Sequence, residues 1–339
     1  MKTVSIKTAQ KEPILEQLKK GLGGSLEGDA LEWGLELSNE LGHGYIKETT
    51  FKGGISHLMI DLEFTEDLEV EVDSPVNPPI CFAYCWEGQL LLKHGADGEK
   101  IKIENFQTGI FSGTAQKVLR LEKGINLKMI LIVVDPLPNM QDENHLNRKL
   151  HKLFLKGYAD GNFAYVGSYN LRIAERIQQL CSIPEKGIAK RFMIKGLVHM
   201  ILAMEIQQHR DDMGKNLVSR PSSLTGKEME TIRELSLFIN NYSERPLSIS
   251  YLCKKGGLSP SKLQEGFKLM HDTTVTNYIR EVRIKKAEDL IKNTDLNISE
   301  VVYSIGLISR SYFSKIFKAK YHCSPKLYKE KQSAYAVSP

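Results

Sequence analysis

Short apolar segments separated by turn residues dominate the region from residue 45 to residue 135. Within each segment hydrophobic and polar positions alternate or run continuously, which is the pattern of β-strands. Pairs such as Gly53-Gly54, Glu87-Gly88, Asp97-Gly98 and Lys123-Gly124 supply the turns between them. Many short strands at such intervals predict a barrel or a sandwich. The predicted strands are His57–Phe64, Leu68–Val72, Ile80–Trp86, Gln89–His94, Lys100–Ile103, Val118–Leu121 and Leu127–Val134.

Residues 144–210 change to a helical pattern. The strongest segment, KRFMIKGLVHMILAMEIQQH at 190–209, is apolar on more than one face. Such a helix is either buried within its own domain or shared between two subunits. The stretch 211–225 that follows is polar and contains Gly, Pro and Ser without an apolar period, which predicts an interdomain linker. The apolar residues at helical spacing are Ile194, Leu197, Val198, Ile201 and Leu202.

The last third of the chain, residues 226–330, is helical throughout. Arg245-Pro246, Gly256-Gly257 and Gly306 each interrupt the apolar period where a helix ends. The predicted helices cover residues 226–242, 248–255, 259–270, 274–292, 298–304, 309–320 and 324–330.

Two stretches of this block resemble each other, SISYLCKKGGLSPSKLQEGFKLM at 248–270 and ISEVVYSIGLISRSYFSKIFKAK at 298–320. Each predicts a short helix, a turn at a Gly-Leu pair, a serine at the N-cap position and a second helix. In the second helices, apolar residues four apart form an inward ridge opposite a polar face. The matching pairs are Gly257 with Gly306, Leu258 with Leu307, Ser259 with Ser309, Leu263 with Phe313, Phe267 with Phe317 and Lys268 with Lys318.

This layout is typical of a helix-turn-helix that inserts its second helix into the major groove of DNA. Arg310 is suited to guanine and Gln264 to adenine, whereas Lys268, Lys315 and Lys318 are suited to phosphates. The alternative is two ordinary helical hairpins with solvated polar faces. Two matched copies, joined by one long helix, favour a pair of DNA readers about one helical turn, or ~34 Å, apart.

Charge supports a polyanionic partner for this block. Residues 226–330 carry 18 Lys and Arg against 12 Asp and Glu, whereas residues 1–225 carry 27 against 29. The formal net charge of +5 therefore originates in the C-terminal third. A basic domain indicates nucleic acid as a partner.

Several classes of protein are disfavoured. The five cysteines are widely spaced without a CxxC pair, which argues against a disulfide framework and a zinc ribbon. The N-terminus lacks the apolar core of a signal peptide, and the longest aliphatic run, Met129–Val134, is too short to span a membrane. We therefore expect a cytoplasmic protein that is not associated with a membrane.

The block at 226–330 resembles the DNA-binding domain of the AraC/XylS family of transcription regulators. The resemblance rests on GLSPSKLQEGFK, TVTNYIREVRIKKAEDLI and ISEVVYSIGLISRSYFSKIFKAKYHCSPKLY, in that order and spacing. It implies two helix-turn-helix units that read a bipartite site on double-stranded promoter DNA, with RNA polymerase as a further partner. The residues that it places at the DNA are Ser261, Lys262, Gln264, Glu265, Lys268, Arg310, Ser311, Tyr312, Ser314, Lys315 and Lys318.

Three positions depart from the family pattern. A glycine is usual where His322 stands, an arginine is usual near Lys329, and a small polar residue is common at Ile308. These departures concern individual contacts with DNA and leave the predicted fold of the block unchanged.

The N-terminal region is similar to the sensor domain of such regulators, especially of those that sense siderophores. The similarity rests on CFAYCWEGQLLLKHG and on the order of strands followed by helices. It implies an α+β chain, in which a cupin-like barrel with trailing helices precedes an all-α domain, and a homodimer. The implied domains are a β-rich cupin-like sensor domain at 1–140, a helical dimerisation segment at 141–210, a linker at 211–225, a double helix-turn-helix DNA-binding domain at 226–330 and a tail at 331–339.

Three functions remain open for the N-terminal domain. As a sensor it binds a small-molecule effector, for which Tyr84, Trp86, His94 and Phe106 are the candidates, although the same residues also suit a barrel core. As a ligand-independent regulator it responds to a protein partner or to concentration. A metal-dependent cupin enzyme needs several His with a carboxylate, but the region has no HxH pair. Catalytic and nucleotide motifs are also absent, so we expect neither an enzyme nor a bound metal or cofactor.

Overall fold

The chain folds into two compact parts, the N-terminal unit Met1–Pro221 and the C-terminal unit Ser222–Pro339. Within the described residues no helix is long and apolar enough to cross a membrane. The computed structural model describes residues 1–7, 12–28, 32–73, 78–94, 98, 100–136, 146–155, 162–214, 224–271 and 273–336.

The N-terminal unit is rich in β-structure, and all seven predicted strands are present with bounds that differ by at most two residues. Its described strands are β1 (Lys2–Lys7), β2 (Ser25–Gly28), β3 (Glu32–Asn39), β4 (Gly42–Phe51), β5 (Ile55–Phe64), β6 (Leu68–Asp73), β7 (Ile80–Glu87), β8 (Leu90–His94), β9 (Lys100–Ile103), β10 (Gln107–Ser112), β11 (Lys117–Leu121), β12 (Leu127–Val134) and β13 (Phe163–Tyr169). Its described helices are α1 (Ile14–Leu22), α2 (Leu146–Leu155), α3 (Leu171–Cys181) and α4 (Gly187–Gly214).

Two sheets share one apolar core. One sheet has the strand order β1-β6-β11-β8-β9, and the other has the order β13-β10-β7-β12-β5-β4-β3-β2. Side chains from both sheets and from α1 form a single buried cluster that includes Val4, Leu18, Leu35, Val70 and Leu92. The fold class is therefore mixed α+β, as predicted, with the β-rich part first and the helical part last.

Strands β7 and β12 are buried on both faces. Ala83 and Met129 point into the core between the sheets, whereas Phe82 and Ile132 point to the opposite side. There Phe82 meets Phe154 of α2 edge to face, with ring centroids 5.4 Å apart. Because both faces pack against apolar side chains, these strands have nearly continuous apolar sequences rather than alternating ones.

The region between the strands and the linker differs from the sequence prediction at two places. Residues 163–169 form a strand, β13, which pairs with β10, where a helical segment was predicted. The helix α4 also continues to Gly214, so that the first four residues of the predicted linker are helical. Parts of these predictions fall on residues 141–145, 156–161 and 215–223, which lie outside the described residues.

Polar contacts fix α4 on the sheet. The carboxamide oxygen of Gln208 accepts two hydrogen bonds from side chains, one from the Thr108 hydroxyl at 3.1 Å and one from the Asn170 Nδ2 group at 2.9 Å. One helical turn away lies Glu205, which is fully buried. Its carboxyl oxygens make no hydrogen bond to any of the described residues, and burial raises the pKa of this group well above its usual value. Burial therefore favours the protonated, uncharged form of Glu205.

The substitution Glu205→Gln tests this state. Unfolding lets the native carboxyl ionise above its ordinary pKa near 4.5, so the folded chain binds more protons and its stability falls as pH rises. We expect the native chain to lose up to about 1.4 kcal/mol per pH unit relative to Glu205→Gln above that value. Denaturant unfolding of both chains between pH 5 and 8 measures the difference, and Glu36→Gln at an exposed position of β3 is the control. A pH-independent difference would show that Glu205 is ionised when folded.

The C-terminal unit is helical, and its helix bounds agree closely with the predicted ones except that the last helix runs further. Its helices are α5 (Gly226–Asn241), α6 (Ile249–Gly256), α7 (Pro260–His271), α8 (Val275–Asn293), α9 (Ile298–Ser304), α10 (Arg310–Tyr321) and α11 (Pro325–Ala336).

Candidate nucleic-acid interface

The first helical pair, α6 and α7, is joined by a tight turn. Gly257 ends α6 with φ +62°, and the Leu258 amide donates to the Cys253 carbonyl oxygen at 3.1 Å. The Ser259 hydroxyl then accepts a hydrogen bond from the Lys262 amide at 3.3 Å. The turn at the Gly-Leu pair and the serine N-cap were both predicted from the sequence.

The second helical pair, α9 and α10, repeats this turn with one addition. Gly306 has φ +72°, and the Leu307 amide donates to the Val302 carbonyl oxygen at 3.0 Å. Ser309 caps α10 by accepting from the Tyr312 amide at 3.2 Å. Between leucine and serine the second turn holds the extra residue Ile308, whose side chain is 89% exposed.

The two glycines differ in their surroundings. An added Cβ at Gly257 would meet nothing within 4 Å, whereas one at Gly306 would lie 2.1 Å from the Glu244 carbonyl oxygen. The second turn is therefore pressed against the connection between α5 and α6, and only glycine permits that approach.

This difference between the two glycines predicts that replacement by alanine lowers the free energy of unfolding more at Gly306 than at Gly257. Gly257→Ala must only adopt a left-handed backbone, so we expect it to lower the free energy of unfolding by about 1–2 kcal/mol. Gly306→Ala also forces a methyl group against backbone, and we expect a further loss of about 2 kcal/mol. Chemical denaturation of both variants measures these losses. Equal losses would contradict the close approach at Glu244.

The inward faces of α7 and α10 are built alike. Leu263 and Phe267 of α7 and Phe313 and Phe317 of α10 are completely buried, as the predicted ridges require. Because these ridges hold the inner faces, the opposite faces of both helices point away from the core.

The outer face of α7 is partly engaged within the protein. Ser261 and Lys268 are exposed, whereas Lys262, Gln264 and Glu265 are half-buried. The Lys262 ammonium forms a 2.5 Å ion pair with Glu228 of α5. The Gln264 carboxamide oxygen accepts from the Val275 amide at 3.3 Å, where α8 begins. A bidentate contact between Gln264 and adenine would require this bond to be released.

The outer face of α10 is more open. Arg310, Ser311, Lys315 and Lys318 are exposed, and Ser314 is half-buried. The aromatic ring of Tyr312 is also accessible, with 45% of the residue exposed. The predicted DNA-facing side of this helix therefore presents Arg310, Lys315, Lys318 and the ring of Tyr312 to solvent.

Helix α8 connects the two pairs. Its 19 residues span about 28 Å. Near its C-terminal end Glu288 accepts hydrogen bonds from the Tyr321 and Tyr328 hydroxyls, both at 2.7 Å, and pairs with Lys292. Burial alone would raise the pKa of Glu288, but these partners outweigh it and lower the pKa to about 2. This carboxylate ties α8 to α10 and α11.

The N-terminal unit contains a cavity of about 180 Å³ between its two sheets. Every described residue that lines it is apolar except Asp73 and Lys117. None of the four candidate effector residues is among them. Asp73 ends β6 and Lys117 begins the adjacent strand β11, so both polar residues lie at the same end of the cavity.

The candidate effector residues lie at separate places. Tyr84 is buried on the helical side of β7 and donates to the Asn170 carbonyl oxygen at 2.5 Å. Trp86 lies at a register shift between β7 and β12. Phe106 is buried in a turn with φ +65°. His94 pairs in register with Lys117, next to the polar end of the cavity. Their role as effector contacts stays a prediction.

No group of three or more His, Cys, Asp or Glu is placed to hold a metal ion within the residues that the structure describes.

Comparison with known proteins agrees with the helical pairs. A family model described as a helix-turn-helix domain matches residues 252–331. The HTH-type transcriptional activator RhaR of Cronobacter sakazakii (strain ATCC BAA-894) is 26% identical over 136 residues, which are 40% of this chain and 45% of RhaR. The regulatory protein SoxS of Escherichia coli (strain K12) is 28% identical over 100 residues, 30% of this chain and 94% of SoxS. These matches support an AraC/XylS-type helix-turn-helix domain in the C-terminal unit.

The chain thus spans less than half of RhaR but nearly all of SoxS. Among solved structures, ToxT from Vibrio cholerae aligns over 81% of this chain and 97% of its own, at 13% identity and a TM-score of 0.31.

The backbone conformation of His322 accounts for one departure from the AraC/XylS pattern. His322 ends α10 in the left-handed region, with φ +59° and ψ +12°. A glycine, usual here in the family, adopts this conformation without strain, and histidine is one of the residues that tolerate it.

Proposed function

We propose that the chain is a sequence-specific transcription regulator that reads two segments of double-stranded promoter DNA with α7 and α10. The observation that carries this proposal is the repeated helical pair, with its matched turns, caps and buried ridges, joined by α8. Two such helix-turn-helix units place two second helices in successive major grooves. The basic excess of this region favours the phosphate backbone as the partner.

The two helices divide the contacts unequally. On α10, Arg310 reads a base, while Ser311, Tyr312, Ser314 and Lys315 contact base edges or phosphates. Lys318 binds a phosphate. On α7, the exposed Ser261 and Lys268 contact DNA together with the half-buried Glu265. Lys262 and Gln264 contribute only after giving up their contacts with Glu228 and Val275.

Selection of bound duplexes from a random pool tests the function. Purified full-length protein near ~0.15 M salt, where non-specific binding is weak, should enrich two short motifs about one helical turn apart. A second selection with added candidate effectors distinguishes an effector-dependent regulator from a ligand-independent one. No enrichment in either selection would contradict sequence-specific binding.

Two substitutions on α10 should act differently on the selected site. Arg310→Ala should weaken specific binding by about 1–3 kcal/mol and leave binding to random duplex nearly unchanged, because a base contact is lost. Lys318→Ala should weaken both and reduce the slope of log affinity against log salt by about one unit. Equilibrium binding across salt concentrations measures both effects, with Arg233→Ala on α5 as the control. Equal losses for Arg310→Ala on both duplexes would make Arg310 a phosphate contact.

The N-terminal unit, which we regard as a cupin-like sensor, also forms the homodimer in this proposal. One stripe of α4 exposes large apolar side chains beside Gly196, namely Ile188 at 74%, Phe192 at 70% and Met200 at 47% exposure. Contiguous exposed apolar surface of this kind marks an interaction site. A small residue within the stripe lets a second helix approach closely.

Phe192→Glu should therefore convert the dimer to a monomer without unfolding the chain, because it places a charge in the apolar interface. Sedimentation equilibrium measures the mass, and circular dichroism checks the fold. Met213→Glu is the matched control, since Met213 lies on the same helix, is 53% exposed and lies outside the stripe. A Phe192→Glu protein that remains dimeric would place the interface elsewhere.

A small-molecule effector bound by the N-terminal unit controls DNA binding in this proposal, and RNA polymerase is the downstream partner. The effector acts to the extent that its affinity differs between two states of the protein.

A further inference from the structure

The cavity between the two sheets is lined almost entirely by apolar side chains. Leu62, Val70, Leu119 and Leu131 are typical of the lining. Apart from the weakly polar thiol of Cys81, the described walls carry side-chain donors or acceptors only at Asp73 and Lys117. A sugar or a catechol would lose its hydrogen bonds to water here without replacement, which costs several kcal/mol in an apolar site. The walls therefore favour a saturated hydrocarbon chain.

The volume of the cavity limits the length of the hydrocarbon chain that it can hold. An apolar cavity of about 150 Å³ remains dry and takes up a benzene-sized molecule. The cavity here measures about 180 Å³, which suits a single alkyl chain of about eight carbons.

Lys117 makes one end of the cavity cationic. The residue is 6% exposed, and its ammonium donates to the Gly113 carbonyl oxygen at 2.8 Å. Burial lowers its pKa, because the surroundings solvate the charge less well than water does. A negative group beside this ammonium gains a strong, charge-assisted hydrogen bond. Asp73, at the same end, is only half-buried.

We propose that the cavity binds a medium-chain aliphatic carboxylate, with its alkyl chain between the sheets and its carboxylate on Lys117. This proposal rests on the proposed function in one respect, because it identifies the carboxylate as the effector of the regulator. Binding itself requires no DNA, and the two claims are measured separately.

Calorimetric titration of the full chain with hexanoate, octanoate and octan-1-ol tests the proposal. Each further buried methylene strengthens binding by about fourfold, or ~0.8 kcal/mol, so octanoate should bind more than tenfold tighter than hexanoate. Lys117→Met should weaken octanoate binding by about tenfold or more and change octan-1-ol binding by less than about threefold.

Asp73→Asn is the charge control. It removes a negative group from the same end, so it should leave octanoate binding unchanged or strengthen it, the opposite of Lys117→Met. Val70→Phe, which fills the cavity, should weaken the binding of both octanoate and octan-1-ol in a chain whose circular dichroism is unchanged. Unaltered octanoate binding by Lys117→Met, or equal affinity for hexanoate and octanoate, would overturn the proposal.

Binding of the protein to the DNA duplex selected from the random pool distinguishes the proposed ligand from the proposed regulatory function. Specific DNA binding without any octanoate binding would overturn the ligand class and leave the regulator intact. Octanoate binding that follows the predicted chain-length and Lys117 dependence, without DNA selection, would support the ligand class and contradict the regulator.

Discussion

Burial of β7 and β12 on both faces determines the arrangement of the N-terminal unit. On one side these strands close the core between the two sheets and line the cavity. On the other side they require a cover, and Phe154 of α2 and the polar contacts of α4 provide it. Since α4 is fixed in this way, one of its faces is committed to the sheet while the opposite face carries the exposed apolar stripe. The cavity and the proposed dimer surface thus lie on opposite sides of the same pair of strands.

The C-terminal unit depends on a different constraint, the close packing of two similar helical pairs against one long helix. The turn of the second pair approaches the Glu244 backbone so closely that only Gly306 fits, and Glu288 ties α8 to the following helices. The two outward faces are therefore held at a separation that side-chain motion alone does not change. That rigidity is what the proposed reading of two DNA segments at a fixed spacing requires.

Much of this architecture is predictable from local sequence because the helices and most strands have strong periodicity and clear end signals. The helix bounds of the C-terminal unit follow from Gly257, Gly306 and the serine caps. β13 was missed because its seven residues lie among helices and pair only with distant β10.

The face that Tyr84 occupies could not be predicted either. Alternation shows which residues share a face, but it does not distinguish the two faces of a strand that is buried on both. The contacts of Lys262 and Gln264 likewise depend on Glu228 and Val275, which reach them only in the folded chain. The burial of Lys117 at the end of the cavity could not be predicted from the sequence, because a lysine at the start of a strand is normally exposed.

The cavity also gives the N-terminal unit a mechanical property. Hydrostatic pressure favours whichever state occupies less volume, and a void of about 180 Å³ disappears when its walls separate and water enters. The volume change of unfolding scales with such internal voids, so compression should destabilise the N-terminal unit. A molecule that fills the void removes the volume on which pressure acts. Compressibility of the N-terminal unit is therefore a direct physical measure of whether its interior is empty or occupied.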